Sequence, residues 1–183
     1  MRTTFALPVA PLAAALLLVA CAPRAKPAVP YDLLFIDAMV AHHQGAVAMA
    51  QPVELQATHP ELKDFARTIA EVQSREIAEM MQWRDQWFPG QPKVPDILAM
   101  PGMTRTMLDE APGHLWMLSG AEFDRMFVNM MIPHHENGIT MARDALTRSN
   151  RPEIKELAQR IIDTQQREIE MMKRWKSEWA KAR

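Results

Sequence analysis

The sequence predicts an all-α protein, an antiparallel four-helix bundle built from two tandem helical hairpins with a long Pro/Gly/Met connector. Three observations carry that expectation. A His-His segment occurs twice at a constant offset of 92 residues, 35–43 matching 127–135, and the register continues without a gap. About a third of roughly 57 paired positions are identical, so one unit is present twice. Within each copy, stripe residues recur at three- and four-residue steps, as in Leu62, Phe65, Ile69, Gln73, Ile77, Met80 and Trp83, and no alternating strand pattern competes.

The elements follow in order along the chain. In residues 1–21, Arg2 precedes an apolar run broken by Pro8 and Pro11 and ending Leu18-Val19-Ala20-Cys21. The run is too short and too interrupted for a good transmembrane helix and fits an export signal. Leu-Val-Ala-Cys resembles the bacterial lipoprotein box, in which the cysteine is lipidated and becomes the mature N-terminus. Cys21 is the single cysteine, so an intramolecular disulfide is excluded and lipidation gives the residue a role. The chain is therefore expected in the bacterial cell envelope, membrane-anchored on the periplasmic side. Because Ala22 rather than aspartate follows Cys21, the outer membrane is expected where the host has one. Residues 22–30 form an extended Pro/Ala tether.

The folded part spans 31–183: repeat one at 31–88, connector at 89–118, repeat two at 119–183. Each repeat reads as helix, tight turn, helix, giving four amphipathic helices of roughly 25 residues. Thr58-His59-Pro60-Glu61 and Asn150-Arg151-Pro152-Glu153 place a capping side chain three residues before a glutamate, with proline in the first turn. Ser119 and Glu122 give the same box ahead of the third long helix. Pro52 should disturb the first helix just past Met49, and Pro133 should remove one backbone bond and bend its helix. The connector's length suits a crossover along the bundle, with a short helix expected within 96–110. Trp83, Trp87, Trp175 and Trp179 are expected to close the ends of the core.

Charge narrows the partners. A net charge of −1 with well-mixed signs gives no reason to expect nucleic acid. The repeated histidines suggest a metal ion instead. Met39, His42 and Met49 fall on nearly one helix face, and Met131, His134 and Met141 repeat the pattern. Adjacent histidines point apart, so one of each pair should face the core and the other the rim or a neighbouring helix. Imidazole with thioether suits copper, especially Cu(I), and the chain has 15 methionines. The competing explanation is packing, since methionine fills irregular helical cores. Gln73, Glu76, Gln165 and Glu168 lie on the apolar stripes. The two glutamates are expected either to orient an imidazole of the neighbouring helix or to bond to Arg75 and Arg167. His59 and His114 are unpaired and carry no expected role.

No Glu-x-x-His occurs, which argues against oxygen-activating di-iron chemistry, and no nucleophile elbow is present, so no enzyme activity is expected. The alternative to a metal-binding protein is a non-enzymatic envelope interaction or structural lipoprotein whose His, Glu and Gln form a polar core network.

Phe-Asp-x-x-Phe-x-x-x-Met-Ile-Pro-His-His at 123–135 and Gln-x-x-Glu-Ile-x-x-Met-x-x-Trp at 165–175 resemble the domain-of-unknown-function family 305. The resemblance extends over 31–179 and includes the Pro-Gly-Met connector at 101–103. It implies a ferritin-like helical bundle, often exported, with relatives linked to copper binding and resistance. Carried over by position, the implied ligands are Met39, His42, His43 and Met49, with Met131, His134, His135 and Met141. Repeat one departs at Val40-Ala41 and Gln44-Gly45, so its site is expected to differ in shape. A copper-handling protein partner would fit such a role. In an up-down-up-down order the His-His segments of the first and third helices either converge on one shared site or each pair with the second helix of their own hairpin. Two separate, pseudo-symmetric sites are expected, because each hairpin holds its own Met/His face opposite its own Gln/Glu face.

Overall fold

The computed structural model describes residues 29–106 and 111–181. The signal segment, Cys21, most of the tether and Met107 lie outside them. The helices are α1 (Tyr31–Ala50), α2 (Val53–Gln56), α3 (Pro60–Trp87), a 3-10 turn (Ile97–Ala99), α4 (Ala111–Leu115), α5 (Gly120–Arg148) and α6 (Pro152–Lys181). Among the described residues there is no strand. The four long helices form two hairpins, α1 with α3 and α5 with α6, and the hairpins meet through α1 and α5.

α3, α5 and α6 each bury one stripe, but α1 does not. Leu33, Phe35, Ile36, Ala38, Met39, Val40, His42 and His43 are all buried, which leaves α1 no wide polar face. A helix apolar on every side must be covered on every side. α3, α5, α4 and the 3-10 turn provide that cover. The expectation of four amphipathic helices therefore fails for α1, because the connector lies over it. α1 also ends early, at Ala50 before the turn at Gln51-Pro52, as expected of a proline there.

The direction of the second hairpin also departs from the expected up-down-up-down order. Tyr31 at the start of α1 donates a 2.8 Å hydrogen bond to Asp144 near the end of α5. The turn before α3 meets the start of α5, where Asp124 accepts from the Thr58 and His59 backbone N–H groups at 3.1–3.3 Å. α5 therefore runs antiparallel to α1, and the connector carries the chain back along the molecule. Buried Arg84 fixes its beginning, donating to Asp37 at 2.6 and 3.2 Å and to the carbonyls of Gln91 and Pro92, while Asp37 also accepts from the Val94 N–H at 2.8 Å. Further on, Gly102 (φ +90°) crosses so close to α5 that a Cβ would lie 2.5 Å from the Asn137 carbonyl. Only glycine serves at such a crossing.

The capping expectation needs correction as well. His59, not Thr58, is the N-cap of α3, and neither it nor Ser119 at α5 makes a side-chain cap bond. Asp124 reaches across from α5 and caps the α3 turn instead. His59 gains a role from this arrangement. Its Nδ1 lies 2.5 Å from Asp124, and its ring stacks on Trp179 at 4.2 Å. Its counterpart at the repeat offset is Arg151, which pairs with Asp32 at 3.3 Å and lies 4.0 Å over Trp87. Each end of the molecule thus carries a carboxylate, a basic side chain and a tryptophan. The stacked pairs Trp175–Trp179 and Trp83–Trp87 pack against different core clusters, as expected of residues that close the two ends.

Candidate metal centre

The antiparallel crossing of α1 and α5 decides which site residues meet. Met49 and Met131 share one apolar cluster with Phe65, Phe123 and Phe127. Met39 and Met141 share the other with Phe35, Met80, Met100 and Met103. Each copy's two methionines are therefore split between clusters, and each joins a methionine of the other copy. Along α1, Met39 precedes His42 by one turn, roughly 4.5 Å of rise, and Met49 follows by about 10 Å. The histidines form a layer between two thioether-bearing apolar clusters.

Within that layer the imidazoles stand in a row. His42 and His134 face each other with ring centroids 3.9 Å apart. His43 follows His42 at 5.9 Å, and His135 follows His134 at 6.2 Å. Glutamates close both ends: His43 Nε2 bonds Glu76 on α3 at 2.7 Å, and His135 Nε2 bonds Glu168 on α6 at 2.8 Å. The four histidines are 0–4 % exposed. This geometry brings His42 and His134 into one cluster, which departs from the expectation that each hairpin's Met/His face stands apart from the other's. The glutamates do pair within their own hairpins, with histidine rather than with Arg75 or Arg167.

Hydrogen bonding assigns the tautomers. A carboxylate only accepts, so the Nε2 of His43 and His135 donates to Glu76 and Glu168, and Nδ1 is the ring nitrogen left without a protein partner. His42 Nε2 lies 3.0 Å from the His134 carbonyl and must donate to it, which leaves Nδ1 as its lone pair. The symmetry breaks here, since both ring nitrogens of His134 lack a partner. Among the described residues, seven buried side-chain atoms are unpartnered: Nδ1 of all four histidines, Nε2 of His134, and Oε1 of Gln73 and Gln165. Each such atom costs about 1–3 kcal/mol if nothing binds it. No three His, Cys, Asp or Glu side chains among the described residues already stand in closed metal-site geometry. The unpartnered nitrogens are present without forming a closed ligand set.

Burial also sets the charge state. It pushes His42 down to about 3, reinforced by His43 and opposed by the bond to the His134 carbonyl. His134 is likewise held well below the usual range, by burial first and then by repulsion from His42, His135 and His43. Both are neutral lone-pair donors at neutral pH. The neutral state has a consequence for stability. Below pH 6.5 the unfolded chain protonates His42 while the folded chain does not until about pH 3, so stability falls as pH drops through that window. Linkage puts the loss at about 2 kcal/mol for His42 by about pH 5. Urea unfolding at pH 7 and pH 5 measures it, and equal midpoints would refute the buried neutral state.

Gly138 shows how tightly the layer is built. A Cβ there would meet Gln165 Oε1 at 2.5 Å and His42 Cε1 at 2.9 Å. The equivalent position in repeat one is Ala46, so this space exists on one side only.

The model of the family described as Domain of unknown function (DUF305) matches residues 32–176. Among solved structures, CopM in the Cu(II)-bound form is 41% identical over 81% of this chain and 97% of its own, with a TM-score of 0.69. CopM in the Cu(I)-bound form is 38% identical over 82% and 99%, with a TM-score of 0.68. A DUF305 protein of Streptomyces coelicolor is 29% identical over 81% and 93%, with a TM-score of 0.72. The uncharacterized protein L153 of Acanthamoeba polyphaga mimivirus is 47% identical over 49 residues, and the match spans only 32% of that protein.

Proposed function

The chain belongs to the DUF305 family, and from that premise we propose that it is an exported, lipid-anchored protein that binds copper, Cu(I) above all, for sequestration or transfer. The carrying observation is the set of seven unpartnered buried atoms, five of them imidazole nitrogens of His42, His43, His134 and His135. The CopM structures support copper as the ion, since they hold Cu(II) and Cu(I) at 41% and 38% identity to this chain. In this reading the imidazoles are the main ligands, and Met39, Met49, Met131 and Met141 supply thioethers from either side. The long helices form an antiparallel, ferritin-like four-helix bundle around them.

The chain's own residues would prepare the site in three ways. Glu76 and Glu168 hold the Nε2 protons of His43 and His135, which turns both Nδ1 lone pairs inward and makes them stronger donors. Burial keeps His42 and His134 unprotonated, so copper displaces few protons at neutral pH. The two apolar clusters exclude water, which protects Cu(I) from oxidation. We assign no catalytic turnover.

A polar core network without metal is the second reading, and the His43–Glu76 and His135–Glu168 bonds favour it. The unpartnered atoms between them argue against it. Titrating the purified protein with Cu(I) against a competing chelator separates the two. Binding that raises the melting temperature supports the first, because an ion that binds only the native state stabilises it. No binding and no thermal shift would leave the second.

Anchoring at Cys21 places the domain at the membrane surface of the cell envelope, where a copper-handling partner would meet it. Cys21→Ser is expected to release the protein from membranes or leave its signal uncleaved. Unchanged fractionation and mass would contradict the anchor.

A further inference from the structure

A buried cluster needs a route for its ion, and polar groups at the α3–α6 seam mark one. Between these helices lies a void of about 10 Å³, with Gln73, Glu76, Thr164, Gln165 and Glu168 among its lining residues. That is room on the order of one water molecule. Val72, Glu76 and Thr164 line both this void and an open groove of about 500 Å³ outside it, whose rim includes Arg75, Glu79, Arg160, Asp163 and Arg167. The groove's charges are of both signs, and Arg160 is neutralised by Glu79 at 2.7 Å.

Residues that line the void also reach inward. Gln165 Oε1 and His42 Cε1 converge on the space beside Gly138, within 2.5 and 2.9 Å of a point where any other residue would place its Cβ. The Oε1 atoms of Gln73 and Gln165 are buried and unpartnered. Glu76 and Glu168 line the void and also bond His43 and His135. Along the helix axes, by contrast, the histidine layer is flanked by the two apolar clusters, whose thioethers Met39, Met49, Met131 and Met141 are themselves 0–1 % exposed and so do not meet an ion arriving from solvent first.

We propose that a copper ion reaches the histidines laterally through the α3–α6 seam, exchanging its waters for the Gln73 and Gln165 side-chain carbonyls before it meets the imidazoles. Val72 and Thr164 set the width of the opening, and the glutamine pair relays the ion between groove and cluster. This rests on the copper reading, and the test keeps the two apart.

The test is the rate of Cu(I) transfer to the full chain from a coloured Cu(I) chelator, under conditions where the wild-type rate scales with protein concentration, beside the affinity after full equilibration. Val72→Phe/Thr164→Phe fills the seam without touching a proposed ligand. Transfer should slow by about tenfold or more while equilibrium affinity stays within about twofold, an effect on rates alone. Val72→Ala/Thr164→Ala, which widens the seam, should transfer faster than wild type. An unchanged rate in a folded Val72→Phe/Thr164→Phe variant would overturn the route. Should that variant fail to fold, an unchanged or slower rate in the alanine pair would overturn it equally. Wild-type protein that binds no Cu(I) at equilibrium would remove the copper reading itself.

Discussion

Asp124→Ala is expected to be the most destabilising single change at the helix ends. The Asp124 side chain is fully buried and accepts from the Thr58 and His59 backbone N–H groups and from His59 Nδ1. Removing it deletes the cap of the α3 turn and leaves the part-buried Thr58 and His59 N–H groups and His59 Nδ1 without their acceptor. Such a loss costs about 1–3 kcal/mol, or roughly 5 °C in melting temperature for a domain of this size. Asp32→Ala is the built-in control. Asp32 and Arg151 form the equivalent pair at the other end, but at 3.3 Å and with side chains 20 % and 38 % exposed. An exposed pair of that kind contributes about 1 kcal/mol or less. Thermal unfolding of both variants measures the difference, and equal losses would show that burial at Asp124 does not matter.

The second large effect falls on binding. Glu168→Ala leaves His135 Nε2 without its acceptor, so nothing fixes which ring nitrogen carries the proton. Loss of such an orienting partner lowers metal affinity by about 10- to 100-fold. Competition with a Cu(I) chelator reads this directly, with exposed Glu170→Ala as the control. Equal affinity in the two variants would mean that Glu168 supports the fold alone. Glu76→Ala should behave as Glu168→Ala does, because His43 depends on it in the same way.

Much of this site is legible in the sequence because helical periodicity is local. The three-residue step from Met39 to His42 and the same step from Met131 to His134 require only the turn of a helix. The stripe position of Glu76 and Glu168 already points them at a neighbouring helix. What local periodicity does not carry is the direction of the second hairpin. That depends on the connector's path, which is fixed by Asp37, Arg84 and the Val94 N–H. Their counterparts in repeat two are Asn129 and Lys176, so comparison of the copies gives no hint of the anchor. Once α5 is reversed, methionines from opposite copies share clusters and the two inner histidines face each other.

His59 was hidden for a different reason. Its position at the repeat offset holds Arg151, so the two copies share no identity there. The signal lay in the carboxylates, since Asp32 and Asp124 are identical across the repeat and each holds a basic side chain against a tryptophan. α1 misleads in the opposite sense. Its continuous burial follows from a cover that the connector supplies, and no stripe within α1 reveals it.

The central claim is that the four histidines are one centre. Its most direct test is copper stoichiometry by Cu(I) titration of wild type, His42→Ala and His134→Ala. The 3.9 Å approach of the His42 and His134 rings predicts one tightly held copper per chain, lost in either single variant. Two coppers per wild-type chain, with each variant keeping one, would contradict it.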